Sequence, residues 1–169
     1  MNEHVSTPAT DDPPPRASLI LPPGAAGNAA GIWMGGARAL HGEEIPAGHL
    51  TRAWLIDLAG DMPAGHHAAA AQATFCVFSD IEEVPSAFWR IEQTAHDAAL
   101  AARGGHDAPE HVYIVCSQGL NRSGLVTGLL LTALGLSPED AVARIRRIRP
   151  GSLANHAFER LLLSSAPLR

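Results

Sequence analysis

The chemistry-bearing residues of this chain are concentrated in Cys116-Ser117-Gln118-Gly119-Leu120-Asn121-Arg122-Ser123-Gly124. Five residues separate the cysteine from the arginine, Gly119 stands midway, and Ser-Gly follows. A loop of this length that opens a helix converges its backbone N–H groups on one point, where the helix dipole adds partial positive charge. A cysteine at that point is expected to react as its thiolate. Free thiols ionise near pH ~8.5, and helix N-termini or cationic neighbours lower that to roughly 3.5–7.5. Arg122 can hold a phosphoryl group by two parallel hydrogen bonds, which lysine could not reproduce. The backbone amides of Ser117, Gln118, Gly119, Leu120, Asn121 and Arg122 are the expected phosphate-binding set, and Gly119 permits the turn that aims them inward. The Ser123 hydroxyl is placed to donate to the sulfur and so stabilise it as nucleophile and leaving group. A departing alkoxide or phenoxide needs a proton. Asp80 is the candidate donor, with Glu82 and Glu83 competing; Asp57 and Asp61 read as structural or substrate-facing.

These side chains need a strand, a loop and a helix in that order. Val112 to Val115 is uniformly apolar, as expected of a central strand covered on both faces. The segment from about Ser123 to Leu134 is apolar nearly all round, which predicts a buried helix. Further strands are expected at Ser18–Leu21, Ile32–Met34, Ala53–Leu58 and Thr74–Phe78, with Gly60–Gly65 a loop. Phe88, Ile91, Ala95, Ala98 and Ala102 follow helical spacing, predicting an amphipathic helix over Pro85–Ala102 that Gly104-Gly105 stops. Ser137 with Pro138 starts another helix, which Pro150 ends, and Asn155 caps a last one burying Phe158, Leu161 and Leu162. The fold class is therefore α/β: a central, mostly parallel, twisted sheet of about five strands flanked by helices.

The Cys116–Gly124 segment resembles the signature loop of the cysteine-dependent protein tyrosine phosphatases, closest to the small dual-specificity branch. The similarity continues through Leu134-Gly135-Leu136-Ser137-Pro138-Glu139-Asp140-Ala141, Ile148-Arg149-Pro150 and Asn155-His156-Ala157-Phe158. Upstream, Gly31-Ile32-Trp33-Met34-Gly35-Gly36 and His49-Leu50-Thr51-Arg52-Ala53-Trp54-Leu55-Ile56-Asp57-Leu58 are similar to the family's first strands, so the resemblance spans about residues 31–165. It implies a dual-specificity phosphatase fold and hydrolysis of phosphotyrosine, phosphoserine or phosphothreonine through a phosphocysteine. It implies no cofactor, and it places the general acid in the strand-to-helix loop holding Asp80. The family has histidine immediately before the nucleophile; this chain has Val115. Cys76, in an expected strand, reads as an inert core residue; some members pair the nucleophile with a second cysteine, and that role is the alternative for Cys76. Leu120-Asn121-Arg122-Ser123-Gly124 also resembles the loop of RNA 5′-triphosphatases of the superfamily. That substrate, phosphoinositides, and a phosphate-binding pseudophosphatase are the alternatives. A sulfurtransferase of the rhodanese type typically has a shorter loop.

Composition narrows the remaining classes. The 169 residues suit one domain, expected over residues 18–169, behind a polar, proline-rich tail over 1–17. The net charge of −5 disfavours a broad nucleic-acid surface, and lysine is absent altogether. Two cysteines and a non-hydrophobic N-terminus point to the cytoplasm, and the apolar run at Leu125–Leu134 is too short to span a bilayer. His66 and His67 are adjacent and the other histidines scattered, so no metal site is expected. His156 is expected to be solvated or in the core, with an approach to the phosphate site, implied by the resemblance, as the alternative. Arg144, Arg146, Arg147 and Arg149 read as a solvated helix face, with a docking patch for an acidic substrate as the sharper alternative. The partner is a phosphorylated protein or small phosphomonoester.

Overall fold

The computed structural model describes residues 12–165; most of the expected tail lies outside the described residues. The first strand, β1 (Arg16–Leu21), begins two residues before the expected domain start. It is followed by β2 (Gly31–Gly36), β3 (Glu43–Glu44), α1 (Ala47–Leu50), β4 (Ala53–Asp57), α2 (Ala64–Ala69) and β5 (Gln72–Phe75). The second half contains α3 (Phe88–Ala102), β6 (His111–Cys116), α4 (Arg122–Ala133), α5 (Pro138–Ile148) and α6 (His156–Leu163).

The six strands form one sheet in the order β3-β1-β2-β6-β4-β5. β2, β6, β4 and β5 run parallel, while β1 is antiparallel to both β2 and β3. The expected five strands are present, although the one expected at Thr74–Phe78 is Gln72–Phe75 and residues 76–78 lie beyond its end; the sixth is the two-residue β3, too short to leave a periodic signal. Alternation sorts the side chains of β6. Val112, Ile114 and Cys116 join the main core beneath α3, α4, α5 and α6, whereas Tyr113 and Val115 join a smaller core with Leu50 of α1, Leu55 and Met62. The Pro85–Ala102 helix begins later than expected, at Phe88. Within Gly60–Gly65, Ala64 and Gly65 open α2, a short helix of alanines and histidines with no buried residue and hence no periodicity to read.

Helix boundaries at the site follow from local chemistry. Ser137 caps α5 by accepting from the Asp140 N–H at 3.1 Å, with Pro138 in the first turn where its missing N–H costs nothing. Asn155 caps α6 by accepting from the Phe158 N–H at 3.2 Å. α4 is buried from Ser123 through Thr132, so its N-terminus is held rigidly against the end of β6.

Candidate active site

β6 delivers Cys116 as its last residue, and α4 begins at Arg122. The loop between them is seated on β2, whose Gly36 lies opposite Cys116 in the parallel register. The Ala37 and Arg38 N–H groups donate to the Cys116 and Ser117 carbonyls at 3.0 and 2.8 Å. Gly119 turns the loop at φ +73°, and a Cβ there would lie 2.6 Å from the Gly35 carbonyl carbon. Both the left-handed backbone and the close approach to β2 therefore require glycine.

The sulfur sits under this loop. Cys116 Sγ accepts from the Gly119 N–H at 3.3 Å and lies 3.3 Å from the fully buried Ser123 Oγ. A cavity of about 250 Å³ opens above it, lined by Asp80, Cys116, Ser117, Gln118, Leu120, Asn121 and Arg122. Cys116 is thus only 3% exposed yet reachable from solvent through a polar mouth. Arg122 Nη1 donates to the Phe78 carbonyl at 3.2 Å, while its Nε is buried with no protein acceptor. An oxyanion over the sulfur would satisfy such a donor.

Nine site residues expected from the sequence meet here: Cys116, Arg122, Asp80, Ser123, Ser117, Gln118, Gly119, Leu120 and Asn121. Asp80 is the one carboxylate among the residues lining the cavity. Glu82 points to α6, where it accepts from the His156 N–H at 3.5 Å, and Glu83 lines a neighbouring groove. Asp57 is structural: fully buried, it accepts from the Ala59 and Gly60 N–H groups at 3.1 and 2.8 Å and bonds His67 Nε2 at 2.9 Å. His156 is exposed.

The arginine-rich helix corrects the sequence reading. Arg149 is 1% exposed and lies behind the Cys116–Arg122 loop rather than on a solvated face. Its guanidinium donates to the Gly119 carbonyl at 2.8 Å, the Ser18 hydroxyl at 2.9 Å, the His41 carbonyl at 3.1 Å and the Gln118 carbonyl at 3.5 Å. Burial pulls it below the ordinary arginine value, and the charge at Cys116 opposes that shift. Arg146 pairs with Glu159 at 2.7 Å, and Arg144 donates to the Ile20 carbonyl. Three of the four arginines thus make internal bonds and Arg147 is the exposed one, so the four do not form one continuous solvated face. The signal for Arg149 was its place immediately after the last residue of an otherwise amphipathic helix, directly before a proline; one-dimensional periodicity cannot tell that place from a solvated one.

Among the described residues, no helix is long and apolar enough to cross a membrane. No protein-family model and no curated protein sequence matches the chain. Solved structures do. A mouse protein described as a dual specificity phosphatase, complexed with zinc tungstate, is 19% identical with a TM-score of 0.62, covering 95% of this chain and 90% of its own. Human DUSP28 is 21% identical with a TM-score of 0.60, covering 78% and 87%. PTPMT1 in complex with PI(5)P is 17% identical with a TM-score of 0.50, covering 78% and 91%. The chain has the α/β fold that these dual-specificity-type phosphatase structures share.

Proposed function

We propose that the protein is a cysteine-dependent phosphatase that hydrolyses phosphomonoesters. The observation that carries this reading is the sulfur itself: Cys116 Sγ lies within 3.3 Å of both the Gly119 N–H and the Ser123 hydroxyl, at the floor of a cavity walled by Arg122 and Asp80. In the reaction Cys116 Sγ attacks phosphorus and the ester P–O bond breaks. Asp80 passes a proton to the departing oxygen. Arg122 and the loop amides hold the equatorial oxygens, where charge stabilisation accounts for most of the catalysis of such transfers. Water then attacks the phosphocysteine, Asp80 takes its proton, the P–S bond breaks, and Ser123 donates to the released thiolate.

The substrate class follows from resemblance: phosphotyrosine, phosphoserine or phosphothreonine on proteins. A dual-specificity fold also accommodates the phosphoinositide bound to PTPMT1. Here, however, Arg122 is the sole cation among the residues lining the cavity, which favours a singly phosphorylated group over a polyanionic headgroup. Hydrolysis of an aryl phosphate tests the reading. Wild type turns over without added metal and is inhibited by vanadate. Cys116→Ser is inert but still binds a phosphopeptide, and Asp80→Asn loses about 10²–10⁴-fold in kcat. Binding without turnover by wild type would identify a pseudophosphatase instead.

A further inference from the structure

β5 stands at the end of the sheet and pairs with β4 alone, so its outer edge has no neighbouring strand among the described residues. The chain stays extended beyond it, because the Cys76 and Phe78 N–H groups continue the ladder onto the Asp57 and Leu58 carbonyls at 3.0 and 3.3 Å. Successive residues of a strand turn their backbone groups to opposite sides. The N–H and C=O groups of Phe75 and Val77 therefore face outward, and those of Val77 make no backbone hydrogen bond among the described residues. Edge strands are ordinarily guarded by charged residues or proline. Gln72-Ala73-Thr74-Phe75-Cys76-Val77-Phe78 contains neither, and Phe75 and Val77 are 58% and 60% exposed.

The acid loop, residues 79–87, leads from this edge to α3. A groove of about 610 Å³ lies between edge and loop, walled by Phe75, Val77, Ile81 and Val84 and reaching Arg90 of α3. Glu83 and Arg90 are the charged residues lining it, one of each sign, so the groove is neutral. It also adjoins the reacting centre. Phe78 and Ser79 line the groove, and Asp80, the next residue, lines the cavity above Cys116. Asp80 is tied there by Asn121 Nδ2 at 3.0 Å and Asn155 Nδ2 at 2.9 Å, and the Phe78 carbonyl accepts from Arg122 Nη1 at 3.2 Å. The free edge is thus held at a fixed place beside the cavity.

We propose that the β5 edge and its groove bind the polypeptide flanking a phosphorylated residue as an added strand, while that residue enters the cavity over Cys116. The inference rests on the phosphatase reading and narrows its substrate to extended segments of proteins. A row of outward N–H and C=O groups is matched by another backbone, and alternate side chains of the added strand supply the selectivity. A neutral, apolar groove suits such a chain and offers little to a polyanion. At the rise of a strand, Val77 lies about 10 Å from Asp80. Substrate residues about three and five positions from the phosphorylated one therefore meet Val77 and Phe75. Phe75 is preset for this contact by its stack on His67, with ring centroids 4.3 Å apart. A second copy of the chain could pair with the same edge, but continuity with the cavity favours the substrate.

The test reads the substrate's backbone. Peptides with a central phosphotyrosine and about five valine, threonine or serine residues on each side are compared with phenyl phosphate, which is too small to reach the edge. Each flanking amide is N-methylated in turn, deleting one donor and keeping the side chain. On one flank kcat/KM is expected to fall about 3–10-fold at alternate positions and less than about twofold between them, the mark of a paired strand. In the protein, Val77→Pro removes the outward N–H without breaking an internal bond, and Val77→Lys places a charge on the edge. Each is expected to lower kcat/KM on the peptide about 3–10-fold, with phenyl phosphate turnover within about twofold of wild type. Melting curves show which variant folds, and the N-methyl scan on wild type needs neither. A scan without alternation, or Val77 variants that lose as much on phenyl phosphate as on the peptide, would overturn the docking edge while wild-type turnover of phenyl phosphate upholds the phosphatase reading. A wild-type dimer in sedimentation that Val77→Lys splits would overturn it in favour of a second copy. A wild type inert toward both substrates would overturn the edge and the phosphatase reading together.

Discussion

Arg149 shows how a single buried cation shapes a site it does not enter. Its guanidinium supports the Gly119 and Gln118 carbonyls from behind, so the loop's carbonyls face away from the cavity while the Gly119 N–H faces the sulfur. An oxyanion site needs that polarity: carbonyls directed into it would repel the phosphoryl oxygens. Replacing Arg149 by methionine leaves the buried Gly119 carbonyl without its donor, at a cost of about 1–3 kcal/mol. Denaturant unfolding should show that loss, with weaker vanadate inhibition alongside; an unchanged midpoint and unchanged inhibition would refute the buttress. Gly119→Ala is a sharper lesion, since φ +73° and the contact with Gly35 are both violated. It should abolish turnover.

At the scale of elements, sheet order decides what the second cysteine can do. Cys76 continues β5, where its N–H donates to the Asp57 carbonyl, while Leu58 N–H donates to the Val115 carbonyl. The buried Leu58 therefore lies between the two cysteines, and β4 separates their strands. Two strand spacings put their Cα atoms about 10 Å apart, beyond the ~7 Å limit for a disulfide without backbone movement. Peptide mapping after mild peroxide treatment should find no Cys76–Cys116 bridge; finding one would require β5 to shift. Packing of α4 on α6 is equally specific. A Cβ at Gly128 would lie 2.9 Å from Leu162 Cδ1, so Gly128→Val should overpack the contact and cost about 1–3 kcal/mol in a denaturation experiment.

Over the whole molecule, histidines far from the sulfur link stability to pH. His111, at the start of β6, stacks on His49 with ring centroids 3.9 Å apart, and its Nδ1 accepts from Trp33 Nε1 at 3.3 Å. Burial, then the charges of His49 and Arg52, hold His111 below its ordinary value of 6.5, with Glu110 opposing. His66 is lowered in the same way by burial and His67, with Glu44 opposing. For both groups the unfolded chain takes up its proton first as pH falls. Their contribution is therefore complete above pH ~6.5 and is lost on acidification toward the folded-state values. The melting temperature should fall between about pH 7.5 and 5.5, and His111→Asn should flatten part of that slope. A slope identical in the variant would remove His111 from the account.

The Cys116–Arg122 loop was legible because its determinants are contiguous: cysteine, glycine, arginine and serine lie within one strand–loop–helix unit, and local backbone geometry brings them together. The parallel sheet was legible for a similar reason, since uniformly apolar short strands separated by helical patterns admit few arrangements. Contacts between distant segments were not legible. Arg149 reads as one more helix arginine until α5 is docked behind the loop. Asn121 and Asn155 read as a loop residue and a helix cap until the acid loop is laid across both. A sequence displays what neighbours along the chain impose on one another, whereas the partners of a long polar side chain depend on which segments the buried core brings side by side. The residue types here determined the cysteine-to-arginine loop proposed as the phosphate site; the tertiary packing alone decided what holds that loop and Asp80 in place, because those partners come from segments far apart in the chain.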